Sequence, residues 1–292
     1  MAEVPETNDF SVRLAMVTFS ECGRRSLMLP VLGSLLLGLF RKLGKEWEQL
    51  TQVQGLRVAT SVDTAVESLK VEREALSGEL GFVECLQGAN HLLVLAEHRA
   101  IVVEVQRSNV KWTVQTGLVS DELVHARMQC ASIRAIAGDS ATLERAFTIA
   151  RLLLSARACG AVQRSFELAC EHAALRTQFG RPIAAFQAVQ HMLADAALLL
   201  EGLTRCIDGA AAAMDAQRSS ATYQAAAATS AAGLHLPKIA IKMHQVMGAI
   251  GFAEEHAMPR LTRQAISDVH RIGGPRASRA AIMVQLARRI EQ

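Results

Sequence analysis

Residues 176–183, Arg176-Thr177-Gln178-Phe179-Gly180-Arg181-Pro182-Ile183, interrupt a long run of helical spacing and decide how the chain is read. Before them, with Ser140 or Thr142 as a cap, apolar residues recur at Phe147, Ala150, Leu154, Ala158, Ala161, Phe166 and Ala173. That period predicts one long helix ending near Leu175. Gly180 and Pro182 punctuate the break, the first by turning without a Cβ penalty and the second by lacking an amide hydrogen. A second long helix is predicted from about Ala184 to Ala216, and a third from Ser219-Ser220 to the Gly248–Gly251 region. A shorter helix from Pro259 to about Val269 and a last one from Gly273-Gly274-Pro275 to Ile290 follow. Long helices joined by short loops predict a bundle over residues 136–292.

Upstream the character changes. Residues 53–135 hold short runs rich in β-branched side chains: Leu56–Thr60, Leu92–Leu95, Ile101–Val105 and Trp112–Val114. Gly78, Gly81, Gly88-Ala89-Asn90, Ser108-Asn109 and Gly117 separate them, which predicts a small antiparallel sheet domain, barrel or sandwich. Residues 1–52 form a third segment. Leu27–Leu43, with Trp47 and Leu50, fits one buried helix or two short ones opened by Pro30, whereas Phe10 to Phe19 give a mixed pattern. The expected fold class is α+β and mostly α.

Composition narrows the function. Aromatics are 4% of the 292 residues, and abundant Ala and Leu suit packed helices. A formal charge of +3 with scattered Lys and Arg, paired only in places such as Arg24-Arg25, Arg41-Lys42 and Arg288-Arg289, gives no basic patch for nucleic acid. Six cysteines without CxxC spacing or a His partner imply no metal and a reduced, cytoplasmic protein. The longest apolar stretch, Leu27–Phe40, is broken by Pro30, Gly33 and Gly38 and is shorter than the roughly 20 residues a membrane span needs.

The run from Arg176 to Ile183, followed by Phe186-Gln187-Ala188-Val189-Gln190-His191 and Leu193-Ala194-Asp195, closely resembles the acyl-CoA dehydrogenase element R-x-Q-F-G-x-P-I-x-x-F-Q-x-x-x-x-x-L-A-D. Cys159-Gly160-Ala161 and Glu171 match the helix leading into it, and Gln245 to Phe252 resembles the family's Q-x-x-G-G-x-G-[FY]. Arg260, Leu261, Arg263 and Ala265 resemble its R-L-x-R-D-A run, with Gln264 replacing the Asp and Ala249 the second Gly of the earlier pair. The resemblance covers 140–275 well, the sheet segment loosely (Leu76-Ser77-Gly78, Leu92-Leu93-Val94) and the N-terminus faintly. It implies an acyl-CoA dehydrogenase-like fold with a shortened N-terminal helical segment, a β domain and a C-terminal four-helix bundle.

It also implies FAD. In the family these groups act across a subunit interface on a flavin held mainly by the neighbour, which assigns cofactor binding to Arg176, Gln178, Phe179, Gln187, Gln245 and Gly248. The chemistry agrees: a permanently charged planar fork at Arg176 suits a pyrophosphate, Phe179 offers an apolar face, the glutamines read polar edges, and Gly248 permits close approach.

The base is another matter. Acyl-CoA desaturation needs a carboxylate to take the α-proton from a dry pocket. One family position for it falls on Ile272, ahead of Gly273; two others, on the helix before the R-x-Q-F-G run, fall on Arg157 and Ala150. Glu144, Glu167, Glu171, Glu254, Glu255 and Asp268 read as solvated or ion-paired surface groups, and His270 as a capping or packed residue. A short first domain together with a missing base resembles the partner chain of bacterial heterotetramers of the α2β2 type, in which a second dehydrogenase-like subunit carries the base. Such enzymes favour bulky acyl-CoAs, for example steroid side-chain thioesters, with electron-transfer flavoprotein as acceptor. The alternatives are a self-contained enzyme using Asp268 or Glu144, a flavin monooxygenase needing no base, and a flavin-free assembly subunit.

Overall fold

In a computed structural model, residues 10–62, 69–96, 99–114, 123–271 and 273–290 are described. They divide into two compact units: the described residues of Met28–Ala150 with Arg271–Gly273, and those of Val12–Leu27, Arg151–His270 and Gly274–Gln292.

The first unit is built on a seven-stranded sheet of β1 (Val58–Val62), β2 (Lys70–Glu72), β3 (Ala75–Glu84), β4 (His91–Ala96), β5 (Arg99–Glu104), β6 (Val110–Val114) and β7 (Leu123–Ala137). Its order is β2-β3-β1-β4-β5-β7-β6, and the extra pairing of β3 with β7 closes it into a barrel. The expected antiparallel pairing holds except between β1 and β4, which run parallel from Val58↔His91 to Val62↔Leu95. Leu80, Val83, Leu92, Val94, Ile101, Val103 and Ala126 fill its core. Two short helices, α1 (Val31–Phe40) being excluded from that numbering until its predecessor is placed, accompany the sheet.

 Numbered in chain order, Val12–Arg24 is α1, so these two helices are α2 (Val31–Phe40) and α3 (Lys45–Thr51). Pro30 directly precedes α2, where its missing N–H is no loss, and Phe40 stacks on Trp47 with ring centroids 4.9 Å apart.

The second unit is helical: α1, the part of α4 (Ser140–Leu175) from Arg151 onward, α5 (Gln187–Asp215), α6 (Ala221–Met247), α7 (Ala257–His270) and α8 (Gly274–Ile290). The start of α4 is capped by Asp139, whose Oδ2 accepts the Thr142 N–H at 2.7 Å, rather than by Ser140 or Thr142. The mixed pattern near Phe10 resolves into α1, because Val12, Ala15, Met16, Phe19 and Cys22 form its buried face while Leu14 and Val17 face out. Asp215 at the end of α5 caps α1 from across the unit, accepting the Val12 N–H at 2.7 Å and the Arg13 N–H at 3.2 Å. Backbones of α1 and α4 touch at two glycines. A Cβ on Gly23 would lie 1.8 Å from the Arg157 carbonyl oxygen, and one on Gly160 would lie 2.0 Å from that of Ser20. Among the described residues no helix is long and apolar enough to cross a membrane.

Candidate functional site

The break at Arg176 is a β-hairpin. The Arg176 N–H still bonds to the His172 carbonyl at 2.9 Å, and its own carbonyl accepts the Ile183 N–H at 2.8 Å. Between these bonds β8 (Thr177–Gln178) pairs with β9 (Arg181–Pro182). The two residues of the turn, Phe179 (φ 51°) and Gly180 (φ 78°), both have positive φ, as tight two-residue hairpin turns require. Glycine adopts this conformation freely, but a phenylalanine there is strained. Phe179 is also 92% exposed, its ring edge-on to Phe186 at 6.2 Å. Arg181 lies over the other aromatic of the pair, 4.3 Å from the Phe186 centroid. An aromatic held out at a strained turn is a feature of a binding surface rather than of a core.

All six sequence-assigned residues are exposed: Arg176, Gln178 and Phe179 on the hairpin, Gln187 opening α5, Gln245 near the end of α6, and Gly248 just past it. Gly248 has φ 63° and ψ −145°, and a Cβ there would meet nothing within 4 Å. Three histidines tie the α6–α7 turn to the end of α4. Burial lowers the pKa of His172, and the charges of Arg176 and His256 lower it further. Burial likewise lowers that of His244, against a raising contact with the Gly251 backbone, and His256 again lowers it. His256 therefore lies within electrostatic reach of both rings, which brings the Arg176 hairpin and the Gln245–Gly248 turn to one side of the unit. Among the described residues no carboxylate pairs with Arg176. An open guanidinium, a protruding ring and an unobstructed glycine fit an elongated anionic dinucleotide such as FAD.

The expected base positions are closed. Ile272 lies outside the described residues. Its neighbour Arg271 is buried in the first unit and pairs with Glu84 of β3 at 2.5 Å. Arg157 is 1% exposed, with Nε 2.8 Å and Nη2 2.7 Å from the two carboxylate oxygens of Asp268, which is fully buried. The reading of Asp268 as a surface group is thus corrected: it is an interior group whose two oxygens are both taken by one guanidinium, beside the Phe19 ring 5.8 Å from Arg157. Ala150 is buried and Glu144 exposed. Glu167 pairs with Arg24 and Arg164, Glu171 with Arg164, and Glu254 with Arg263. His270 is exposed rather than packed.

The residues that sequence reading missed are His172, Arg181, His244 and His256. The first two flank Arg176 at four and five residues and were visible as neighbours in the sequence; the others become relevant only through the fold. A separate cleft of about 350 Å³ opens in the first unit, with Met28, Pro30, Arg57, Cys85, Gln87 and Trp112 among its lining.

The architecture is that of solved acyl-CoA dehydrogenases. A variant of the Tcur3481–Tcur3483 steroid ACAD superposes with a TM-score of 0.82 at 21% identity, over 96% of this chain and 82% of that one. The ChsE4–ChsE5 complex from Mycobacterium tuberculosis does so at 0.78 and 21% identity, over 96% and 81%. Residues 137–284, half of the sequence, match the family model described as acyl-CoA dehydrogenase, C-terminal domain, and the chain belongs to that family. A 3-sulfinopropanoyl-CoA desulfinase from Paraburkholderia xenovorans is 36% identical over 125 residues, 43% of this chain and 32% of that protein. The chain covers about a third of the length of the curated relatives it matches.

Proposed function

We propose that this chain is a subunit of a heteromeric, FAD-dependent acyl-CoA dehydrogenase, completing the flavin site of a partner that carries the catalytic base. One contrast supports the reading: the cofactor elements are open to solvent, while Arg157, at one of the family's base positions, is locked in a buried ion pair with Asp268. Arg176 would hold the pyrophosphate, Phe179 would cover an apolar face of the nucleotide, and Gln178, Gln187 and Gln245 would take its polar edges. Gly248 would admit the cofactor close to the main chain. When bound, FAD supplies the acceptor for the hydride leaving the β-carbon of the thioester. The α-proton goes to a carboxylate of the partner, since the described carboxylates at this chain's expected positions are exposed or paired.

The substrate we assign is a bulky acyl-CoA such as a steroid side-chain thioester, with electron-transfer flavoprotein as acceptor. Support comes from the two solved relatives above, one named as a steroid ACAD and one as a complex of two different chains. Six free cysteines fit a reducing compartment, and we place the protein in the cytoplasm. Co-expression with a base-bearing dehydrogenase chain, followed by purification and a visible spectrum, tests the reading. A yellow, stable complex that oxidises acyl-CoA is the expected result. A colourless chain that never associates, or an active homo-oligomer, contradicts it.

A further inference from the structure

The proposed function leaves three imidazoles unused beside Arg176. His172 is partly buried one turn before Arg176 on α4, and its carbonyl accepts the Arg176 N–H. His256 stands just before α7, where its Nδ1 accepts the Met258 N–H at 3.1 Å. In the neutral ring this leaves the proton on Nε2, free to donate outward, and protonating Nδ1 would break the bond to Met258. His244 is buried on α6 and shares a hydrogen bond with Thr262 through Nε2 at 2.8 Å.

We infer that His172 and His256 form, together with Arg176, a proton-linked anion site for the phosphates of the dinucleotide, which tightens as the pH falls. The inference rests on the flavin-binding reading of Arg176 and adds two residues and a pH dependence to it. The charged and titratable groups acting on His172 are Arg176 from its own element and His256 from the turn before α7, both of them cationic or neutral. His256 acts in turn on His244. A site that gathers basic groups without a compensating carboxylate favours an anion. Burial and the neighbouring cations keep His172 neutral near pH 7; a phosphate brought against it favours the imidazolium, so binding takes up a proton. By linkage, affinity then rises as the pH falls toward the pKa of His172 in the complex. His256 has a different part, because its Nδ1 is engaged: it donates from Nε2 while neutral. His172 titrates and His256 anchors.

The test uses the full chain with ADP-ribose, whose pyrophosphate diester keeps a fixed charge from pH 6 to 8. NMR of the imidazole C–H signals follows binding and gives each ring's pKa. The wild type should bind roughly tenfold tighter at pH 6 than at pH 8, the ratio that one unit of pKa shift supplies. Saturation should raise the pKa of His172, a readout that needs no variant. His172→Gln should flatten the pH dependence, whereas His256→Gln should weaken binding by the same factor at both pH values. Binding that is absent, or pH-independent in the wild type, overturns the inference, as does full pH dependence in His172→Gln. Loss of binding in Arg176→Ala with both histidine variants unchanged overturns it while leaving the flavin reading intact. ADP-ribose binding that Arg176→Ala does not weaken counts against both.

Discussion

Arg157 and Arg176 are the same residue type at two places along one stretch of chain, and they meet opposite fates. The first is buried mid-helix with both carboxylate oxygens of Asp268 in its grasp. The second emerges past the end of α4, exposed and without a carboxylate. Nineteen residues of helix separate them by roughly 28 Å. An arginine whose partner lies inside the protein serves the fold; one left open at the edge of a strained hairpin serves a ligand. A chain that closes its base position and keeps its cofactor elements open is suited to assisting a partner's chemistry.

The largest effect should follow from breaking the buried pair. Arg157→Met leaves the Asp268 carboxylate stranded and should cost about 3–5 kcal/mol in urea denaturation, and the double variant Arg157→Met/Asp268→Leu should recover most of that. A single variant as stable as the wild type would remove the structural role given to Arg157. Next comes the helix crossing beneath it. Gly160→Ala drives a Cβ against the Ser20 carbonyl and should cost about 1–3 kcal/mol or more, with no change at the hairpin.

How much of this was legible beforehand depended on the range of the interaction. The end of α4 near Leu175 and the bundle helices follow from spacing and punctuation, which are local. The hairpin was read only as a break, because Gln178-Phe179-Gly180-Arg181 lacks the Asn-Gly or Asp-Gly signal and places a phenylalanine at positive φ. The parallel pairing of β1 with β4 and the Arg157–Asp268 pair, whose partners are 111 residues apart, are tertiary and leave no local mark. The cofactor residues were recognisable through family resemblance; their common exposure was not.

Smaller effects sharpen the contrast. Asp215→Ala removes the cap of α1 and should lower stability by about 1 kcal/mol, measured by thermal or denaturant unfolding. Phe179→Gly relieves the left-handed strain, worth about 1 kcal/mol, and so should leave the fold slightly more stable while weakening flavin retention. The smallest change is expected at the partly exposed Arg24–Glu167 pair, where Arg24→Ala should cost under about 1 kcal/mol. Glu167 has its pKa lowered, first by the hydrogen bond from Arg24. The pair's contribution is therefore present above the ordinary carboxylate pKa and fades as the pH drops through the lowered value. A pH titration of stability in the wild type and Arg24→Ala reads that difference.

The most direct test is the flavin content of the assembled complex. With wild type, Arg176→Lys and Arg176→Ala each co-purified with the base-bearing chain, the ratio of flavin to protein absorbance should fall progressively from wild type through Lys to Ala while the complex stays intact. Equal flavin content in all three complexes would contradict the assignment of Arg176 to the cofactor.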